Sequence, residues 1–316
     1  MNTSHVLILA GCLVAGGANA SCGAAFCSSS NDWLALTQDV TAGWRVWAQA
    51  EYLNQNQLRD GTKAISPQQI TAHHAEVKTI NRNALLGLDY GFAPAWSASL
   101  ILPYSNRDHF HIHNHHGTPI PETWQFDNVG DMRMKLRYQP AQRAAGGLSW
   151  NLQGGLKLPT GRIDVRNADG DEAERSVQPG TGTTDLLLGG GLAGAPLSMP
   201  GNLFANLTLQ APLYEKDGYR PGWRIGAQAG WLMPLNGKLD LILQGNVLHV
   251  ARDRGAQAEP DDSGRIEVAA VPGLAYAWSR RLTVYGQLEL PVYQRVNGIQ
   301  LTHDYAASFG VSLLLN

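Results

Sequence analysis

Residues 130–159 read GDMRMKLRYQPAQRAAGGLSWNLQGGLKLP, and their alternation decides the fold. Met132, Met134, Leu136 and Tyr138 alternate with Asp131, Arg133, Lys135 and Arg137. After a small turn, Leu148, Trp150, Leu152, Leu156 and Leu158 alternate with Ser149, Asn151, Gln153 and Lys157. A period of two sends successive side chains to opposite faces of an extended strand. Each run is about ten residues long, more than a globular strand needs. One face is apolar and the other carries full charges. That is how a barrel strand crosses a membrane, with lipid outside and a wet lumen inside.

The same pattern recurs outward from this hairpin. Before it, Trp44 to Tyr52, Ala84 to Phe92 and Trp96 to Tyr104 alternate; after it come Asp185 to Ala195, Leu203 to Leu209, Trp223 to Trp231 and Leu239 to Asn246. Ile266 to Leu274, Leu282 to Leu290 and Tyr305 to Leu313 complete the set. The count is about twelve, even as bacterial outer-membrane barrels prefer. Connections after even-numbered strands are short, with Asn236-Gly237 the strongest hairpin signal. Those after odd-numbered strands are mostly long and polar, at 54–79, 106–127 and 160–183. The expectation is an all-β transmembrane antiparallel up-and-down barrel with short periplasmic turns and long extracellular loops. Prolines at 103, 159, 212 and 291 mark upper strand ends, where a missing N–H does least harm. Aromatics sort to two levels, as membrane interfaces favour.

Composition agrees. The 316 residues are 16% charged and 44% hydrophobic, with net charge −2. That near-neutral balance argues against nucleic acid as a partner, and no apolar run after the N-terminus is long enough for a spanning helix. Residues 1–20 read as a signal peptide, with an apolar run at 6–14 and Ala18-Asn19-Ala20 before the cut; Leu9-Ala10-Gly11-Cys12 also resembles a lipobox. Residues 21–43 form a periplasmic segment that could fold inward as a plug, and residues 44–316 form the barrel. Cys22 and Cys27 are an even pair in an oxidising compartment, expected to close a small disulfide loop. A soft-metal role for the two thiols is the alternative. Outer-membrane lipid and the barrel-assembly machinery of a Gram-negative cell are the implied partners.

Short motifs add a resemblance. Gly155-Leu-Lys-Leu-Pro-Thr-Gly161, then Gln178-Pro-Gly-Thr-Gly182 and Asp185, with Val129-Gly-Asp131 and Leu102-Pro-Tyr104, resemble the outer-membrane "transporter" family also labelled "MetA-pathway of phenol degradation". The resemblance implies an outer-membrane channel and a location better than it implies a cargo.

Two groups of residues carry candidate chemistry. Asp89, Asp131, Arg133, Lys135, Arg137, Lys157, Arg224, Glu267 and Glu289 fall on the lumen face, joined by Arg45, Glu51, Asp240 and Arg265. The fourth and fifth strands form a basic wall, while Glu267 and Glu289 form an acidic patch. Walls of opposite sign either line an eyelet for polar solutes or pair across the lumen and close it. The second group is His109, His111, His113, His115 and His116. If the third strand extends upward, the odd-numbered four share one face, and imidazoles at that spacing suit Zn²⁺, Cu²⁺ or Ni²⁺. A polar, pH-sensitive surface loop is the plain alternative. The acidic stretch at 167–174 lacks a full Ca²⁺-loop pattern and reads as solvated.

Three functions follow. The first is an outer-membrane channel for a small-molecule or metal-ion substrate. The second is a metal-binding surface protein on a closed barrel. The third is a phospholipase-type enzyme, for which His249 and His303 are the strand-borne bases but no serine stands out.

Overall fold

The structure is a computed structural model that describes residues 43–69, 74–115, 118–140, 147–195 and 199–315. Cys12, Cys22, Cys27, His73 and His116, with the expected signal and plug, lie outside these residues.

The strands are β1 (Gly43–Asp60), β2 (Lys63–Ile65), β3 (His74–Ala93), β4 (Trp96–His115), β5 (Thr118–Val129), β6 (Arg133–Tyr138), β7 (Ser149–Lys157), β8 (Asp185–Gly194), β9 (Asn202–Pro212), β10 (Arg224–Pro234), β11 (Leu239–Val250), β12 (Arg265–Ala277), β13 (Leu282–Val296) and β14 (Ile299–Leu314). All pairings are antiparallel, mostly between chain neighbours, with β3 also on β1 and β6 also on β4, and β14 returns to β1, with Arg45 opposite Leu314 and Asp60 opposite Ile299. Closure leaves no sheet edge across the membrane, which the hydrocarbon core demands. β5 pairs with the upper half of β4 and β6 with the lower half, so together they make one stave. β2 is a short flap on the top of β1. The result is a closed 12-strand barrel.

The pleat sorts side chains as the alternation requires. Along β1 the odd-numbered Arg45, Trp47, Gln49, Glu51 and Leu53 are buried, while Trp44 and Val46 are exposed. Leu86, Leu136, Leu152 and Leu207 each keep more than half of their surface, at 56%, 51%, 57% and 57%. A belt of bare leucines around every stave is a lipid-facing surface. Trp44, Phe92, Trp96, Trp150, Tyr276 and Trp278 are exposed at the short-turn end, and Tyr104, Trp223 and Tyr305 at the other. Several touch along the girdle: Trp44 stacks on Tyr90 at 4.2 Å between centroids, and Tyr138 meets Trp150 edge-on at 5.7 Å.

Two expected loops are strand instead. Residues 54–60 and 74–79 prolong β1 and β3, and most of 106–127 forms the tall β4–β5 hairpin. The apolar alternation stops where lipid stops, because above the membrane the outer face meets water. The hydrogen-bonded ladder does not stop there. The wall is therefore tall at β1, β3, β4–β5, β13 and β14, and low at β7 to β10. The long connection 158–184 fills the low side. Its Val165, Ala173 and Val177 pack with Trp124 and Phe126 on the inner face of the β4–β5 wall. Trp124 Nε1 donates to the Asp171 carbonyl at 3.2 Å, and Arg107 donates to the Val177 carbonyl. This connection covers part of the extracellular mouth.

Candidate functional site

The lumen is built in tiers, each set by the inward parity of its strands. At the periplasmic end, Asp89 on β3 receives Arg45 Nη2 at 2.8 Å, Trp47 Nε1 at 3.0 Å and the Ser99 hydroxyl. Arg45 and Asp89 thus cancel. Just above, Trp47, Leu85 and Ile101 form an apolar cluster on β1, β3 and β4. Across the wall, Ile242, Ala275 and Tyr285 form another, and the Tyr285 hydroxyl donates to Gln49 Oε1 at 2.9 Å.

A cavity of about 180 Å³ opens at mid-barrel. Trp47, Leu85 and Ile101 line it on one side; Arg133, Lys135 and Arg224 bring cations, with Glu51 as their acidic counterpart. Gln49, Gln153, Gln210 and Gln228 fill the spaces between. Arg133 lies within electrostatic reach of Arg224, Glu51, Asp131 and Asp185. The chamber is therefore amphipathic: an apolar side and a cation-bearing side at one level.

Lys157 does not stand in an open basic wall. Its ammonium is 3% exposed and lies 2.8 Å from Asp131 and 3.3 Å from Asp185. Asp131 also accepts from the Gly161 amide at 3.0 Å and from the Thr181 amide and hydroxyl at 2.9 Å each. Asp185 accepts from Thr183 at 2.7 Å and Gln210 at 2.6 Å. This knot explains the short motifs. Any side chain on Gly161 would run into Gly180, and the reverse also holds. Two backbone segments must pass in contact for Asp131 to collect both amides. Arg137 is buried near the periplasmic side, and Asp240 sits at the foot of β11. Sequence reading missed Asp185 and Thr181 as members of the knot; both lay inside the motif, Asp185 at the start of an expected strand and Thr181 in the connection before it.

Near the outer rim, Glu267, Glu289 and His303 on β12, β13 and β14 place one potential ligand atom each within 4.8 Å of the others. The acidic pair was legible from parity. His303 was legible only as a lone strand histidine.

Above the membrane, His109 and His111 share the inner face of β4, with ring centroids 5.5 Å apart. His109 Nδ1 meets Thr79 Oγ1 at 2.8 Å, and His111 Nε2 meets Glu122 at 2.9 Å. Burial holds the His109 imidazole well below its usual range, with help from His111 and Arg107. His113 and His115 continue the strand opposite Ile120 and Thr118. Acidic residues surround these rings, with Glu76 on β3 and Glu122 on β5 the strand neighbours of His111. Burial raises Glu174 to about 8, reinforced by Glu259 and Glu122, and raises Glu76 well above the carboxylate range.

His249 shares the outward parity of Leu243 and Val247 and lies tilted against Trp223, with ring centroids 4.9 Å apart, while His303 faces two carboxylates. Among the described residues neither ring is hydrogen-bonded to a serine hydroxyl, the nucleophile such hydrolysis needs.

No protein-family model matches the chain, and no curated protein does either. Among solved structures, it is similar to the COG4313 outer membrane channel from Pseudomonas putida F1, with a TM-score of 0.63 at 10% identity. That likeness covers 91% of this chain and 100% of the other, and it shows a shared outer-membrane barrel fold. More distant are a TodX monoaromatic hydrocarbon channel deletion mutant (TM-score 0.46, 11% identity, 95% and 97% covered) and the NanC porin (0.45, 9%, 85% and 100%).

Proposed function

We propose that the protein is a channel carrying small solutes across the outer membrane of a Gram-negative cell. The mid-barrel chamber carries this reading. A barrel closed for structural reasons alone would leave no open space at its centre. Here Arg133, Lys135 and Arg224 line a cavity beside Trp47, Leu85 and Ile101. Cations beside apolar walls suit a small organic anion, its charge on the guanidinium side and its body on the indole side. The motif resemblance to the transporter family supports the same reading.

Reversal potentials of the refolded protein in a salt gradient test it. Anions should permeate better than cations, and Arg133→Gln with Arg224→Gln should shift the permeability ratio toward cations severalfold. An unchanged ratio in the double variant would remove these residues from the path.

A second reading links the channel to metal ions at the extracellular histidines. It is favoured by the neutral His109 ring beside His111, itself held by Glu122. Micromolar Zn²⁺ or Cu²⁺ on the outer side should then block conductance, and His109→Asn with His111→Asn should abolish the block. A block that survives both replacements would exclude these rings as the site.

A further inference from the structure

We infer that Glu267, Glu289 and His303 form a divalent transition-metal site in the barrel wall near the outer rim, suited to Zn²⁺. It stands independently of what passes through the lumen. The three side chains come from three adjacent staves and are 3%, 5% and 2% exposed. His303 Nε2 lies 3.6 Å from Glu267 Oε1 and 3.6 Å from Glu289 Oε1. Those distances decide between two explanations. A protonated imidazole bridging two carboxylates would draw at least one oxygen to about 2.7–2.9 Å, the span of a charge-assisted bond. Donors held about 2.1 Å from a four-coordinate ion instead stand about 3.4 Å from one another. The two observed spacings, at 3.6 Å, are close to the edge of a coordination tetrahedron and longer than a hydrogen bond.

Hydrogen bonding points the same way. His303 Nε2 and Glu267 Oε1 are buried with no hydrogen-bond partner, a costly state for polar atoms out of water. The other carboxylate oxygens are held from behind. Glu267 Oε2 accepts from Gln294 at 3.3 Å, and Glu289 Oε2 accepts from Asn246 at 3.1 Å. Gln294 also donates to the His303 carbonyl at 3.1 Å, so one amide positions two of the three residues. This is the outer shell that orients metal ligands. Arg265 lies within electrostatic reach of both glutamates.

The backbone is bent to make the group. The β12–β13 register shifts between Val268 and Ala269, next to Glu267, and the β1–β14 register shifts on both sides of Gln55, the partner of His303. Bulges re-aim side chains and are common beside functional sites. One imidazole with two carboxylates is a donor set for a borderline metal, and Mg²⁺ and Ca²⁺ favour all-oxygen shells.

Zn²⁺ titration of the refolded full chain by calorimetry tests the site, with folding scored by heat-modifiable gel mobility. The expected result is that His303→Gln binds one Zn²⁺ equivalent fewer than the parent, whatever the extracellular histidines bind. A fivefold excess of Mg²⁺ should leave that equivalent in place. His303→Cys replaces one ligand with another, so it should keep the equivalent and show a thiolate–Co²⁺ absorption band when Co²⁺ is used. Equal stoichiometry in parent and His303→Gln would overturn the proposal. So would a folded His303→Cys protein that shows no thiolate–cobalt band, a result that decides the matter even if His303→Gln does not fold.

Discussion

Lys157 shows how a single residue ties the barrel to its loop. It is buried between Asp131 and Asp185 and also donates to Thr181. Removing its ammonium would leave two buried carboxylates without their cation. Breaking a buried pair by deleting one partner costs about 3–5 kcal/mol. Lys157→Met should therefore lower the unfolding free energy measured in urea by that order, whereas Arg166→Met should change little, because its pair with Glu172 is exposed. Equal effects of the two would show that the knot contributes nothing special. The inward direction of Asp131, Lys157, Glu267 and Glu289 was legible in the sequence, since parity alone fixes it. Their partners were not. Parity says which face a side chain takes, but not that Gly161 and Gly180 cross in contact or that His303 lies between two glutamates. Those facts depend on loop paths and bulges, which leave no period.

The tall β4–β5 hairpin and the connection 158–184 act together as one element. Their contact joins Trp124 and Phe126 to Val165, Ala173 and Val177, with Gln178 bridging the Val165 and Ala173 carbonyls at 3.3 and 2.8 Å. Glu174 makes this contact sensitive to pH. Burial and neighbouring acids raise it to about 8 when the connection is docked, against an ordinary value of about 4.3 when it is free. A carboxyl raised on docking stabilises the docked state fully below its ordinary value. That contribution is lost as pH rises from there to about 8. Hydrogen exchange of amides in 165–178, corrected for intrinsic rate, should show protection falling across this window, and Glu174→Gln should flatten the fall. Protection that does not change with pH would contradict this placement of Glu174. The sequence showed the histidine parity of β4 but read the stretch as a loop. Above the membrane the outer face no longer needs apolar residues, so half of the strand signal vanishes while the ladder continues.

At the scale of the whole molecule, closure and lipid govern the design. Every stave pairs on both sides, the outward belt is leucine and aromatic, and the charges are gathered inside. Strand number, orientation and lumen face were legible because the bilayer imposes one rule on every stave. The state of the lumen was not legible, because a basic and an acidic wall could equally have closed on each other. The structure instead divides the interior into a paired lower tier, a chamber of about 180 Å³ and a mouth partly covered by 158–184.

The central claim is that this lumen conducts, and single-channel recording of the refolded protein in planar bilayers tests it most directly. The parent should be recorded beside a variant in which 165–178 is replaced by a short Gly-Ser linker, leaving Gly161 and Thr181 in place. The account predicts small, steady openings from the parent and a severalfold larger conductance from the variant. A correctly folded barrel that stays silent both with and without that segment would contradict it.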